Sequence, residues 1–353
     1  MCLVFIYRQY VDKIMSTAQF NELVKLADDA LDQKTKPPGS LGLLEHTAAQ
    51  ISAIQRTLTP TTDTAITIIF AADHGVAAEG VSAYPREVTK QMLLNFASGG
   101  AAINAICNTH NIELEVIDTG VVGDPVEGVL NYKVAQGTAN FLKSPAMTKS
   151  QLDQALSIGH EAVTRANDRG INLIALGEMG IGNTTSAAAI VAAVCNVESA
   201  VTVGRGTGID DVVLKHKADV VKKALEKHPD RTPEGILQNL GGFEIAAMCG
   251  AMLRAVDNPV AIVVDGYIAT AAALCAVAIE PTVREHLLFA HRSAEPGHTI
   301  ALQHLHATPL LQLDLRLGEG SGAALAIPLI RSASAILCDM ATFESAGVER
   351  ELA

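Results

Sequence analysis

The chain has 353 residues, 49 % of them apolar, and a formal net charge of −12. That length can bury a large core, and that charge excludes a binder of nucleic acid or anionic membrane, whose footprint is basic. Aromatics make up 4 % and Trp is absent, so Ala, Leu, Val and Ile must fill the core.

Residues 1–14 (MCLVFIYRQYVDKI) do not fit a signal segment: the apolar part is short and no small-residue cleavage site follows. They read as an extension or a mis-assigned start, with Met15 as the alternative start. STAQFNELVKLADDAL then reads as an amphipathic helix over 16–34, capped by Ser16 or Thr17. Pro37-Pro38-Gly39 breaks the chain, and Ser40 is placed to cap a second helix through about Leu58.

From residue 65 one plan repeats: an apolar strand, a glycine-containing turn, then an Ala-rich helix. AITIIFAADHG, LEVIDTG, INLIALGEMGIGN, PVAIVVDGYIATAAAL and LDLRLGEGSG are the clearest strands. Such alternation implies an α/β fold with a mostly parallel sheet covered by helices on both faces. Right-handed crossovers then put every post-strand turn at one edge, where ligands bind. Asp73, Asp118, Glu178, Asp265 and Glu319 are thereby expected to line one crevice. Residues 121–150 are less regular and read as a surface excursion. No apolar stretch is both long and free of charge, Gly and Pro, which predicts no transmembrane helix. Six cysteines form no CxxC pair, which fits buried thiols in a reducing cytosol.

Two turns carry the candidate chemistry. Glu319 sits between glycines in LGEGSG, and Glu178 takes the matching place in LGEMGIGNTTS. The second turn also suits phosphate, because free backbone N–H groups, hydroxyls at 184–186 and a helix N-terminus converge; a well-capped helix with no ligand is the alternative. It matches neither the dinucleotide nor the P-loop fingerprint. Gly204-Arg205-Gly206-Thr207-Gly208 is a further glycine loop, with Asp210 and Asp211 at the start of the next helix. Lys217 in that helix either reaches a phosphate or lies on a solvated face. Tyr84, Gln91, Met92 and Leu93 suit a flat, apolar pocket for an aromatic ligand, with core packing the alternative for the last two. Asp73-His74 lacks a third ligand at metal-binding spacing. In AHRSAEPGH, His291, Ser293, Glu295 and His298 read as a ligand-contact loop before a hydrolase triad, since no GxSxG elbow is present.

KPPGSLG, AADHGVAAEGVSAYP, FASGGAAINAI, GEMGIGNTTSAAAI, GRGTGIDD, LGGFEIAAMCGAML, VVDGYIATAAAL, AHRSAEPGH and LGEGSGAALAIPLI occur in this order over about residues 36–330. Together they resemble the nicotinate-nucleotide–dimethylbenzimidazole phosphoribosyltransferase family. The resemblance implies a large Rossmann-like domain over 61–334 and a small helical domain from both chain ends, 15–60 with 335–353. It implies a cytoplasmic homodimer with no metal and no organic cofactor. The implied reaction moves the phosphoribosyl group of nicotinate mononucleotide onto 5,6-dimethylbenzimidazole, giving α-ribazole 5′-phosphate and nicotinate for cobalamin assembly. Glu319 matches the family's general base and Glu178 its second acidic residue. Tyr84, Gln91, Met92 and Leu317 are the implied neighbours of the benzimidazole. Gly180, Gly182, Asn183, the 204–208 loop, Lys217 and Ser293 are the implied phosphate contacts. Two alternatives stay open: a nucleotide-binding sensor without catalysis, and a nucleotide N-glycosidase.

Overall fold

All eight residues of the strand Ala65–Ala72 (β1) are buried, so both its faces must be covered. In the computed structural model, which describes residues 15–206 and 208–349, six parallel strands form one sheet. The others are Glu113–Gly120 (β2), Leu130–Asn131 (β3), Leu173–Met179 (β4), Ala261–Val264 (β5) and Leu287–Phe289 (β6). Their order is β3-β2-β1-β4-β5-β6, the doubly wound order whose direction reverses between β1 and β4. Residues 1–14 and Thr207, which carry two of the sequence expectations, lie outside the described residues.

Successive side chains point to opposite faces of a strand. Ile66, Ile68 and Phe70 enter one apolar core with the helices Lys149–Asp168, Asn183–Cys195, Phe243–Ala255 and Tyr267–Ile279. Ala65, Ile69 and Ala71 enter the opposite core with Leu43–Gln55, Ala102–His110 and Ser321–Asp339. The first core contains a close helix crossing. A Cβ on Gly159 of Lys149–Asp168 would overlap the Ala247 carbonyl oxygen, and one on Gly250 would overlap that of Leu156. Two glycines thus let two helix backbones touch.

At the chain ends Ala27, Leu31, Ala48, Ala49, Ala333 and Leu337 form a separate small cluster. Lys34 Nζ donates to the Met340 carbonyl at 2.8 Å, tying the two ends together. The division expected between residues 334 and 335 falls inside one helix, Ser321–Asp339. Among the described residues that helix alone is long and apolar enough to cross a membrane; its buried side packs on β1, β4 and β5.

Several expected boundaries hold. Ser16, not Thr17, caps Thr17–Leu31 in a capping box with Gln19. Asp210 caps Asp211–Lys227 by accepting from the Val213 amide. Two expectations need correction. Ser40 does not cap the second helix, which runs Leu43–Gln55 and starts at Gly42 (φ 54°). No side chain caps this helix; Glu45 in its first turn instead holds the preceding loop, accepting from the Leu41 amide at 2.8 Å and pairing with Lys36 at 2.8 Å. LDLRL is not a strand: Asp314 takes φ 55°, which breaks the extended run, and Leu313 and Leu317 are 53 % and 58 % exposed. The strand beside β5 is the three-residue β6.

Candidate active site

The expected edge site forms at the carboxyl ends of β4 and β5. Glu178 is the last residue but one of β4, and Glu319 sits in the turn before Ser321–Asp339. The Glu319 amide donates to the Glu178 carbonyl at 3.3 Å, so the two turns are joined backbone to backbone. Their glycines permit this. A Cβ on Gly177 would stand 2.6 Å from the Gly320 nitrogen, and Gly318 takes φ 88° beside the Glu178 carboxylate. Glu319 itself holds φ 63°, the left-handed region that side chains rarely adopt.

Glu178, Asp265 and Glu319 line one cavity of about 370 Å³, a volume suited to a small organic ligand. All three are buried, and burial is the main cause that raises each above the usual carboxylate range. Glu178 is raised well above it, with the fields of Asp265 and Glu244 adding to burial and the Asn183 amide opposing. Asp265 is pushed up to about 7 even though its Oδ1 accepts from the Ala323 amide at 2.8 Å. Glu319 is raised although the Ile103 backbone amide bonds its carboxylate. One Glu319 oxygen has no donor among the described residues.

Asp73 and Asp118 do not join this cavity. Asp73 Oδ2 accepts from the Val122 amide at 2.8 Å. Asp118 Oδ1 accepts from the Gly120 and Val121 amides, and its Oδ2 pairs with Lys133 at 3.2 Å. Both carboxylates hold loops beyond β1 and β2. His74 is also engaged, with Nε2 2.6 Å from Glu244 Oε1 and Nδ1 3.0 Å from Ser186 Oγ.

Of the expected base-side residues, Tyr84, Met92 and Leu317 line the cavity, and Gln91 faces solvent outside it. Of the expected phosphate-side residues, Gly180, Asn183, Gly206 and Ser293 line it. Gly182 (φ 98°) starts the helix Asn183–Cys195 behind it. Arg205 pairs with Asp211 and donates to the Ile209 carbonyl at 2.9 Å, which turns it away. Gly208 has open space around its α-carbon. Lys217 lies behind the lining: its Nζ donates to Thr184 Oγ1 at 2.8 Å and to the Gly204 carbonyl at 3.3 Å. It is buried, not solvated, and burial pushes its ammonium down to about 8.

Ser293, His298 and Glu295 make no nucleophile chain. The Ser293 amide donates to His298 Nδ1 at 2.8 Å, and His298 Nε2 sits 2.9 Å from Thr270 Oγ1. His291 and Glu295 line the cavity, as a ligand-contact loop requires. Arg316 also lines it and was not among the expected site residues. It stands three residues before Glu319, a cation beside a glycine-held acid, and that local pattern was the available signal.

A phosphoribosyltransferase family model matches residues 18–348. The nicotinate-nucleotide–dimethylbenzimidazole phosphoribosyltransferase of Ralstonia nicotianae is 50 % identical over 327 residues, covering 91 % of this chain and 92 % of its own. The Shewanella oneidensis protein of the same name is 50 % identical over 328 residues, covering 90 % and 92 %. The crystal structure of CobT from Thermus thermophilus superposes with a TM-score of 0.90 at 46 % identity, covering 94 % of this chain and 100 % of that one. Whole-length likeness in sequence and fold therefore places the chain in the nicotinate-nucleotide–dimethylbenzimidazole phosphoribosyltransferase family of enzymes.

Proposed function

We propose that this enzyme transfers the phosphoribosyl group of nicotinate mononucleotide to 5,6-dimethylbenzimidazole, releasing nicotinate and α-ribazole 5′-phosphate for cobalamin assembly. The observation that carries the reading is the Glu319 carboxylate, buried in a left-handed glycine turn, with one oxygen unpaired among the described residues, in a residue that lines a cavity shared with Glu178. One ring nitrogen of the base attacks the anomeric carbon, and the N–H on the other nitrogen loses its proton to Glu319. The glycosidic bond to nicotinate breaks, and its electron pair neutralises the pyridinium. Attack opposite the leaving group inverts the β-nucleotide to the α product in one displacement.

Burial favours neutral Glu178, yet the incoming nucleotide carries a pyridinium cation, which favours the carboxylate. Glu178 then stabilises the positive charge that develops on the ribose. Tyr84, Met92 and Leu317 form the base wall, with Tyr84 53 % exposed at its rim. Gly180, Asn183, Gly206, Ser293 and Lys217 form the phosphate side. The same reading treats the enzyme as a cytoplasmic homodimer without metal or organic cofactor. It takes residues 15–60 and 335–353 as a small helical unit, supported by the packing of Leu337 with Ala27, Leu31, Ala48 and Ala49.

Purified protein incubated with nicotinate mononucleotide, with and without 5,6-dimethylbenzimidazole, tests the reaction by chromatography. Base-dependent release of nicotinate with formation of an α-ribotide is expected. Release without the base would make the protein a glycosidase, and bound nucleotide that never turns over would make it a sensor. Lys217→Ala is expected to raise KM for the nucleotide about 10- to 100-fold, as loss of a charged hydrogen bond to phosphate does, with little effect on KM for the base. Equal effects on both KM values would remove Lys217 from the phosphate site. Because Glu319 must be ionised to act, kcat/KM is expected to fall as pH drops through its raised value. That acid limb therefore lies above the limb of an ordinary carboxylate, and a pH–rate profile of Glu319→Asp and the parent locates it.

A further inference from the structure

Glu295 has no part in the reaction as described, yet it occupies the phosphate side of the cavity. It is buried, and its Oε1 accepts from the Gly206 amide at 2.9 Å. Its Oε2 is also buried and has no donor among the described residues. The Gly204 α-carbon approaches so closely that a Cβ there would overlap Oε2. On the other side of the same loop, Lys217 meets two neutral acceptors among the described residues, Thr184 Oγ1 and the Gly204 carbonyl. A buried acid and a buried ammonium thus flank residues 204–206 with no direct bond between them.

We propose that Glu295 is the positioning residue of the phosphate site: it fixes the Gly206 amide and keeps the buried Lys217 ammonium charged. This deepens the nucleotide reading and rests on it. A carboxylate beside an anion site repels a phosphate at first sight. Here burial strips the ammonium of water, and a nearby opposite charge is what favours its charged form. The field of Glu295 acts on Lys217 in that direction, against burial. Other charged groups around Lys217 are committed elsewhere. Arg205 pairs with Asp211, the exposed Lys215 faces outward, and His216 Nε2 lies 2.7 Å from the Glu79 carbonyl. The Tyr267 hydroxyl donates to the Thr202 carbonyl at 2.7 Å, and Glu178 holds the Asn183 amide.

Glu295→Gln separates the two duties, because the amide oxygen still accepts from Gly206 while the charge is gone. Calorimetric binding of nicotinate mononucleotide is measured from about pH 6.5 to about pH 9.5, where the nucleotide phosphate is already a dianion. In the parent protein affinity is expected to fall as Lys217 loses its proton near pH 8. In Glu295→Gln that fall is expected to start about one pH unit lower, the usual effect of removing one close charge. Glu295→Asp should restore the parent profile. Asp265 titrates in the same cavity at about 7, and its contribution is common to all three profiles. A Glu295→Gln profile that superposes on the parent would overturn the charge role. No nucleotide binding by the parent itself would instead overturn the nucleotide reading on which this inference stands. Thermal melts of each variant separate loss of fold from loss of affinity.

Discussion

Glu319→Gln is expected to lower kcat by about 10²–10⁴-fold, the range that a positioned general base supplies. The amide keeps the shape of the side chain and still accepts from the Ile103 backbone amide that holds the carboxylate. It cannot take the benzimidazole proton. Nucleotide affinity should stay near that of the parent, because Gly206, proposed for the phosphate side, belongs to a different loop from Glu319. The other two acids are poorly placed to replace it: Asp265 Oδ1 is bonded to the Ala323 amide, and Glu178 is held by Asn183. Steady-state kinetics with both substrates saturating make the comparison. A kcat near the parent value would show that the proton leaves by another route and would remove Glu319 from the chemistry.

Gly159→Ala is expected to destabilise the fold by about 3 kcal/mol, the upper part of the range for an overpacked core. The new methyl would meet the Ala247 backbone oxygen, which belongs to the facing helix and cannot rotate away. Helix propensity works in the opposite direction, favouring Ala over Gly by about 1 kcal/mol. The clash wins because relief requires the helices Lys149–Asp168 and Phe243–Ala255 to separate along their shared interface. Urea unfolding monitored by circular dichroism gives the difference. An unchanged midpoint would mean that the helices do not touch at Gly159.

The sheet was legible where strands are buried on both faces. AITIIFAA reads as a strand because water contacts neither side, and the run of apolar residues needs no alternation. LDLRL misled for the opposite reason. Its alternate leucines imitate a half-buried strand, but Leu313 and Leu317 are exposed and Asp314 turns the chain. β6 has only three residues, too few for any period to show. In the site, glycines on both sides of Glu178 and Glu319 marked them correctly as cavity acids. Asp73 and Asp118 carry a similar mark and point into loops, because the amides that bind them come from residues 120–122. DVVLKHKADVVKK left open whether Lys217 is solvated, since its burial comes from Thr184 and the 204–206 loop, over ten residues away in the chain. Glu295 was visible only as one acid in a mixed loop. The amide that it holds, Gly206, is 89 residues away.

Behind Gly180 and Asn183 of the cavity wall, the helix Asn183–Cys195 buries Ala187, Ala188, Ala189, Ala192 and Ala193. Alanine has no rotamers to lose on folding, whereas each leucine or isoleucine gives up about 0.5–1 kcal/mol of side-chain entropy. The floor beneath this turn is therefore ordered at little entropic cost. It also has few internal side-chain motions of its own. Thermal displacement there must be carried by the helix backbone as a unit, so Asn183 and Thr184 share one displacement instead of fluctuating separately.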